Sequence, residues 1–343
     1  MIALQSQVSL LPYNSFAVDA QADFFVEVKN EQDILDLISL DVFATQTHLI
    51  LWSGANILFT KPYQGLVIKN NIVGKEVIQE TDNLVVIKVC AGEVWHDFLM
   101  RSLEQWYVWG ENMVLIPSSV GAAPFGNIGA YGKEAKDIIH EVEGIDLTTG
   151  EKKVWKNEEC HFGYRESIFK NEWKDKVIIT AVTFVLGKQS ANYIPNIQYR
   201  DIQQLIEERA IDTSKITALQ VANLIIEIRE KKLPDRTKIG TAGSFFKNPV
   251  VSNEEYQSLL EKYPELKGNV VSTGMKLSAW QLIELAGFKW ASEWPVGTYN
   301  NHALIIVNNG GASGTEIRAF AQSIQKKVQE LFEVKLEPEV IIM

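Results

Sequence analysis

Residues 116–132 read Ile116-Pro117-Ser118-Ser119-Val120-Gly121-Ala122-Ala123-Pro124-Phe125-Gly126-Asn127-Ile128-Gly129-Ala130-Tyr131-Gly132. Four glycines and two prolines interrupt any helical or strand period. No charged residue falls within the stretch. Such a composition lets backbone approach a ligand closely and turn N–H groups toward it. A P-loop does not fit. Lys133 is followed by Glu134, and Asn127 stands five residues before Gly132, where the first glycine of that motif is required. A buried crossover without a ligand is the alternative, although a loop this long and this poor in charge ordinarily packs on something.

Outward from this stretch, strands and helices alternate toward the N-terminus. Residues 22–29 are strand-like, and Asn30 caps a helix over 31–39. Strands follow at 48–52, 66–68 and 84–89, then an amphipathic helix at 95–103. The turn Ser53-Gly54-Ala55-Asn56 lacks the G-x-G-x-x-G spacing of a dinucleotide-binding turn. On the C-terminal side, 141–146 and 152–155 form strands about a turn at 148–151. Another buried strand spans 177–186, and 187–199 is polar and irregular.

Near Gln203 the pattern becomes helical. Thr217 begins a helix over 218–231 that Leu233-Pro234 ends. Ser252 or Asn253 begins one over 254–263, and Ser278 one over 279–286 with Gly287 as its stop. A strand at 302–307, a helix at 315–332 and a strand at 334–342 complete the chain. The class is α+β, with two or three domains and a break near Gln203.

Composition bounds the chemistry. The 343 residues are 46% hydrophobic and 22% charged, which excludes a disordered chain. A net charge of −10 disfavours nucleic acid and anionic membranes as partners. The longest apolar run, 177–186, is far shorter than the roughly 20 residues that span a bilayer. Residues 1–16 carry no Lys or Arg, so a signal peptide is not expected and the location is cytoplasmic. Cys90 and Cys160 are too far apart in sequence for a thiolate cluster. His48, His96, His140, His161 and His302 form no i, i+4 pair, so no metal site is expected.

Three further strings stand out. In Phe162-Gly163-Tyr164-Arg165-Glu166-Ser167, Arg165 is either a surface ion-pair partner of its neighbour or a planar carboxylate clamp. In Gly243-Ser244-Phe245-Phe246-Lys247-Asn248-Pro249, Ser244 is either a turn residue or a reactive hydroxyl beside groups that bind anions and carbonyls. Leu336-Glu337-Pro338-Glu339-Val340 places two carboxylates at i, i+2, on one side of an extended segment. At the end of the helix over 218–231, Arg229 and Lys232 also suit the helix dipole without any ligand.

Taken in order, these strings and Lys232-Leu233-Pro234-Asp235 resemble the UDP-N-acetylenolpyruvoylglucosamine reductase family, the UDP-N-acetylmuramate dehydrogenases, from about residue 14 to 340. The irregular stretch through Tyr199 is similar to the form with an inserted tyrosine loop over the substrate. The resemblance implies a vanillyl-alcohol-oxidase-type fold in three parts: two α+β subdomains, 1–70 and 71–202, hold FAD non-covalently, and a C-terminal α+β domain, 203–343, closes over substrate. NADPH is the implied co-substrate and UDP-N-acetylglucosamine enolpyruvate the implied substrate, using one pocket in turn.

For the flavin, the implied residues are Ser53, Gly54, Ala55, Asn56 and Ile57, then Pro117, Ser118, Ser119, Gly121 and Ala122, then Asn127, Gly129, Ala130, Tyr131 and Gly132. For catalysis they are Arg165 on the substrate carboxylate, Glu339 beside it as a protonated partner or orienter, and Ser244 as the acid that protonates the α-carbon. Tyr199, Arg229, Lys232, Asn248 and His302 would hold the sugar nucleotide. The chain departs from the family at Trp52 and Ser118, which place a Cβ where the family has glycine, at Ala55, where it has serine, and at Gly126 and His302, where glutamine is common. Two alternatives stand beside this: a flavin oxidoreductase of the same fold on another substrate, and a flavin-free paralogue that binds a sugar nucleotide.

Overall fold

The protein is described from a computed structural model covering residues 2–190 and 193–343. Its helices and strands mix as an α+β chain and fall into two compact units. The first comprises Met1–Val8, Ala22–Ser53 and Gln64–Lys231, and the second Ser9–Gln21, Gly54–Tyr63 and Lys232–Met343.

Two sheets build the first unit. The smaller runs Gln5–Ser9, Gln21–Val28, Tyr63–Asn70, His48–Leu51, with the last two strands parallel. The helix Glu31–Ile38 covers it, because Ile34 and Leu37 repeat at helical spacing and bury against Val26, Val28, Leu66 and Ile68. Asn30 caps that helix through its side chain, which accepts from the Asp33 N–H at 2.9 Å. The larger sheet is antiparallel, in the order Lys152–Lys156, Ile139–Asp146, Val177–Lys188, Leu84–Cys90, Lys75–Glu80. Val177–Lys188 is its central, almost wholly buried strand, as its continuous β-branched and apolar sequence dictates.

Three helices share the core of the larger sheet. Trp95, Phe98 and Leu99 of Trp95–Glu104, Ile202 and Leu205 of Arg200–Glu208, and Val221, Ile225 and Ile228 of Ala218–Lys232 join one cluster with Phe184. The break expected at 203 thus falls inside a helix that packs in the first unit. Periodicity shows that a helix has an apolar face, but not which sheet that face meets. Thr217 does cap the following helix: its hydroxyl accepts from Gln220 N–H at 3.1 Å, and Gln220 Oε1 accepts from Thr217 N–H at 2.8 Å.

The second unit packs around Phe16, Phe245, Phe246 and Phe320. Its long helix, Gly314–Phe332, starts at a reciprocal Ser313–Glu316 cap. The strand His302–Asn308 pairs with Val296–Tyr299, and Ile57–Leu58 pairs in parallel with Ile341–Ile342. Two expectations are corrected here. The final strand is only Ile341–Ile342. Residues 332–340 still alternate buried and outward, but Pro338 has no N–H to continue a ladder. The helix expected over 279–286 is regular only over Ala279–Ile283, then widens through Glu284–Phe288 to Gly287 at φ 89°. Ser278 does not cap it; the Ala279 N–H is taken instead by Asn248 Oδ1 at 3.0 Å.

Candidate functional site

In the first unit the glycine-rich stretch is held along its length by backbone bonds. Trp95 N–H donates to Ser118 O, Val120 N–H to Glu93 O and Gly121 N–H to Ala91 O, at 2.8–3.0 Å. Gly121 is packed so closely that a Cβ there would lie 2.5 Å from Trp52 and 2.6 Å from the Ala91 side chain. Ala122–Gly126 forms a short helical turn that ends at Asn127, in the left-handed region at φ 41°. Asn127 is buried, and its side chain is fully used: Nδ2 donates to Gly163 O at 2.8 Å and to Glu134 Oε2 at 3.1 Å, while Oδ1 accepts from Lys136 N–H at 3.1 Å.

Arg165 meets this turn from the second string. Its guanidinium donates to Asn127 O at 3.4 Å and Gly129 O at 3.1 Å. Ser167 Oγ donates to Phe125 O at 2.8 Å. The residue beside it, Glu166, binds Asn171 at 2.9 Å. So the arginine fork is aimed by loop carbonyls, not spread on the surface. Asn127, Tyr131 at φ 48° and Arg165 at φ 56° all adopt left-handed backbone without being glycine. Each costs on the order of 1 kcal/mol, and such strain gathers at binding sites.

Around Tyr131 the substrate candidates of this unit come together. The Tyr131 ring meets the exposed ring of Tyr199 edge-on, with centroids 5.3 Å apart. Burial raises the pKa of the Tyr131 hydroxyl, partly offset by the neighbouring charge of Arg229. Arg229 also donates to Leu115 O at 3.3 Å, and burial lowers its own pKa. Its Nε is buried without a partner among the described residues.

The second unit contributes the other candidates. The segment bearing Ser244 is clasped on both edges. Phe245 N–H donates to Leu304 O at 2.9 Å on one side; Glu339 N–H donates to Phe245 O at 2.8 Å, and Lys247 N–H to Glu337 O at 2.9 Å, on the other. Phe245 and Phe246 are buried and Ser244 is exposed. Glu337 and Glu339 share the outward side of their segment, as their spacing requires, and Lys247 lies 3.7 Å from Glu337.

Asn56 Nδ2 donates to Glu339 O at 3.0 Å, and Ile341 N–H to Asn56 O at 3.1 Å, so the turn 54–57 fixes the glutamate's backbone. Asn248 has spent its carbonyl on the helix at Ala279, which leaves its amide N–H groups for a ligand. His302 packs edge-on against Trp280 at 6.2 Å. Burial, then the charge of Lys232, lowers its pKa, so it is neutral near pH 7. Its Nδ1 is buried without a partner among the described residues.

Lys232-Leu233-Pro234-Asp235 ends in a tight turn. Asp235 accepts from Thr237 Oγ1 at 2.6 Å, Lys238 Nζ at 2.9 Å and Thr237 N–H at 3.0 Å. These bonds, the hydroxyl first, lower its carboxyl from 3.8 to about 2. A depressed folded-state value stabilises above the unfolded value and is lost as pH falls through the folded one. The turn's contribution is therefore complete above pH 3.8 and disappears as pH drops toward 2. Urea midpoints measured across that window should fall more steeply for the wild type than for Asp235→Asn; parallel curves would refute it.

The departures from family glycines carry no backbone strain. Neither Trp52 nor Ser118 lies in the left-handed region, whereas the retained Gly54 does, at φ 64°. A Cβ at Gly126 would meet nothing closer than 4.0 Å. Two buried polar atoms near the glycine-rich stretch, Ser119 Oγ and Asn112 Oδ1, have no partner among the described residues. A hydroxyl and a carbonyl unused by folding suit a ligand rich in donors and acceptors, as a flavin is. Glu111, Asn112, Tyr193 and Asn196, which bear on this site, are absent from the sequence expectations. The one signal for them is a polar Glu-Asn pair directly ahead of the apolar run 113–116.

Comparison with known proteins bears on both units. A family model described as an FAD binding domain matches residues 22–154, and one described as the UDP-N-acetylenolpyruvoylglucosamine reductase C-terminal domain matches residues 234–343. A UDP-N-acetylenolpyruvoylglucosamine reductase from Flavobacterium johnsoniae is 41% identical over 99% of each chain, and one from Aliivibrio fischeri is 41% identical over 97% of this chain and 92% of its own. A crystal structure of the enzyme of that name from Thermus caldophilus superposes with a TM-score of 0.67 over 99% of this chain and 100% of its own, at 22% identity, which establishes a common fold. With near-full-length relatives at that identity, the chain belongs to the UDP-N-acetylenolpyruvoylglucosamine reductase family.

Proposed function

We infer that this chain is an NADPH- and FAD-dependent oxidoreductase that converts UDP-N-acetylglucosamine enolpyruvate to UDP-N-acetylmuramate in peptidoglycan precursor synthesis. The observation that carries the chemistry is the setting of Ser244. It is a small exposed hydroxyl on a segment pinned at both edges, and one edge is the segment bearing Glu339. Among the described residues no helix is long and apolar enough to cross a membrane. We place the reaction in the cytoplasm, with no membrane or nucleic-acid partner.

FAD held by the residues assigned to it and reduced by NADPH would supply a hydride for the β-carbon of the enol ether. The α-carbon is then left electron-rich and conjugated to the substrate carboxylate. Arg165, already aimed by the Asn127 and Gly129 carbonyls, is assigned to that carboxylate, where a bidentate fork best offsets the developing charge. Ser244 gives the proton to the α-carbon, and Glu339 is assigned as orienter. Tyr199, Arg229, Lys232, Asn248 and His302 are assigned to the sugar nucleotide. Ser119, with the backbone about Gly121 and Gly129, is assigned to the flavin, as are residues 53–57. Within the first unit, one sheet is built from strands up to Asn70 and the other from Lys75 onward, which supports parts at 1–70 and 71–202.

The test is direct. The purified protein should show a flavin absorption spectrum, and NADPH oxidation should depend on UDP-N-acetylglucosamine enolpyruvate. A colourless protein that FAD cannot reconstitute, or NADPH oxidation indifferent to the sugar nucleotide, would sink the assignment. Arg165→Lys keeps the charge but loses the fork. It should lower kcat/KM for the enolpyruvyl substrate by about 100-fold while leaving flavin reduction by NADPH within about threefold. Equal losses in both halves would remove Arg165 from the carboxylate.

A further inference from the structure

Four side chains, two ahead of the glycine-rich stretch and two after the larger sheet, are used in an unusual way. Glu111 and Asn112 follow Gly110 in a single 3₁₀ turn, Glu111–Met113, and both are buried. Glu111 is a carboxylate with two partners among the described residues. Its Oε2 accepts from Trp109 N–H at 2.7 Å and its Oε1 from the Tyr193 hydroxyl at 2.5 Å. Asn112 Nδ2 donates to Asn196 O at 2.8 Å and to Tyr131 O at 3.3 Å. Asn196 in turn donates its own Nδ2 to Tyr131 O at 3.2 Å. Two adjacent side chains therefore hold two points of the segment 193–199: Glu111 holds Tyr193, and Asn112, directly and through Asn196, is tied to the backbone of Tyr131, whose ring faces Tyr199.

We propose that the Glu111–Tyr193 hydrogen bond, with Asn112 beside it, is a latch that positions Tyr199 over the glycine-rich stretch, making Glu111 and Tyr193 positioning residues for the sugar nucleotide. This rests on the assignment of Tyr199 to that ligand. The energetics favour a latch over an incidental contact. A buried carboxylate without donors is costly, so Oε1 needs the Tyr193 hydroxyl, and a charge-assisted bond of this kind is about twice as strong as a neutral one. Burial and the neighbouring carboxylate both push the Tyr193 phenol pKa up, so it remains the donor at any ordinary pH. The far end is equally determined. A Cβ on Gly132 would lie 3.2 Å from Asn196 Nδ2 and 3.4 Å from the Tyr199 ring, so Gly132, at φ 77°, lets the segment lie flat on the stretch. The proximal half of the latch is built from the chain ahead of the site, and the distal half from the site itself.

Tyr193→Phe removes one hydroxyl and leaves the ring. Hydrogen exchange of the amides of 193–199 in the flavin-loaded protein should speed up by about tenfold, the equivalent of about one hydrogen bond of this strength. KM for the sugar nucleotide should rise by a similar factor, with flavin reduction by NADPH unchanged. Glu111→Gln, whose oxygen can still accept from Trp109 N–H, turns an amide N–H toward the Tyr193 oxygen in place of the charged acceptor and should change both readouts in the same direction but by less. The double variant should be no worse than Tyr193→Phe alone, as expected for one shared contact. Unchanged exchange in Tyr193→Phe would overturn the latch. Faster exchange with unchanged KM would overturn its positioning role. Failure of the wild type to turn over the sugar nucleotide would strike the assigned function, and the exchange result would still judge the latch.

Discussion

Ser244→Ala should let NADPH reduce the flavin at the wild-type rate but cut reoxidation by the enolpyruvyl sugar nucleotide by 10²- to 10⁴-fold, about the contribution of a positioned general acid. Stability should barely change. Ser244 is exposed, its segment is held by backbone bonds at Phe245 and Lys247, and the packing belongs to Phe245 and Phe246. An exposed substitution that breaks no buried contact stays within about 0.5 kcal/mol. A large rate loss without a shift in the urea midpoint would place the effect on the chemical step. Rapid-mixing spectra at the flavin band separate the two halves. If both halves slow together, or neither does, Ser244 is not the acid.

Why this position suits a proton donor follows from the local backbone. Gly243 takes φ 77° with open space at its Cβ, so the chain turns there at no steric cost. The turn presents Ser244 outward while the next two side chains point into the core. The string Gly243–Pro249 stands out in the sequence because it sets a serine between a glycine and two aromatics, beside Lys247 and Asn248. It could not tell that the neighbour across the segment is 337–339, since a pairing between residues about ninety apart leaves no local pattern.

The same limit explains most of what was not legible. Strands such as Val177–Lys188 and capped helices such as Glu31–Ile38 could be read because their signals are local: β-branched runs, periodic apolar residues, an Asn at the start. The last strand could not, because residues 332–340 alternate like a strand yet Pro338 interrupts the ladder. The share of each unit in the chain was also hidden. Residues 9–21 and 54–63 belong with the C-terminal unit, an assignment that depends on contacts such as Thr241 N–H to Ser15 O and Thr60 N–H to Met343 O, not on composition. Among candidate residues, Arg165 was legible as a possible clamp, but the carbonyls that aim it lie some 36 to 38 residues away. Glu111 and Tyr193, separated by 82 residues, had no sequence signal as a pair.

Gly54→Ala should be the most destabilising single methyl in the second unit. Gly54 sits at φ 64°, where an L side chain costs roughly 1–2 kcal/mol. Its Cβ would also stand 1.8 Å from the carbonyl oxygen of Tyr13, which is backbone and cannot swing aside. Relief requires parting the two segments, and with them the Ser15 N–H to Gly54 O bond at 3.0 Å and the Ser15 Oγ to Ala55 O bond at 3.1 Å. Strain, clash and lost bonds together should cost about 3 kcal/mol or more. Gly311→Ala is the control: φ is 79° but nothing lies within 4 Å of the added carbon, so strain alone acts and about 1 kcal/mol is expected. The difference between the two urea midpoints measures the clash. The consequence extends to function, because Asn56 holds the Glu339 carbonyl from the same turn. Gly54→Ala protein that remains folded should therefore lose turnover of the sugar nucleotide as well as stability, whereas Gly311→Ala should lose only stability. If Gly54→Ala costs no more than Gly311→Ala, the close approach to Tyr13 is not what demands glycine there.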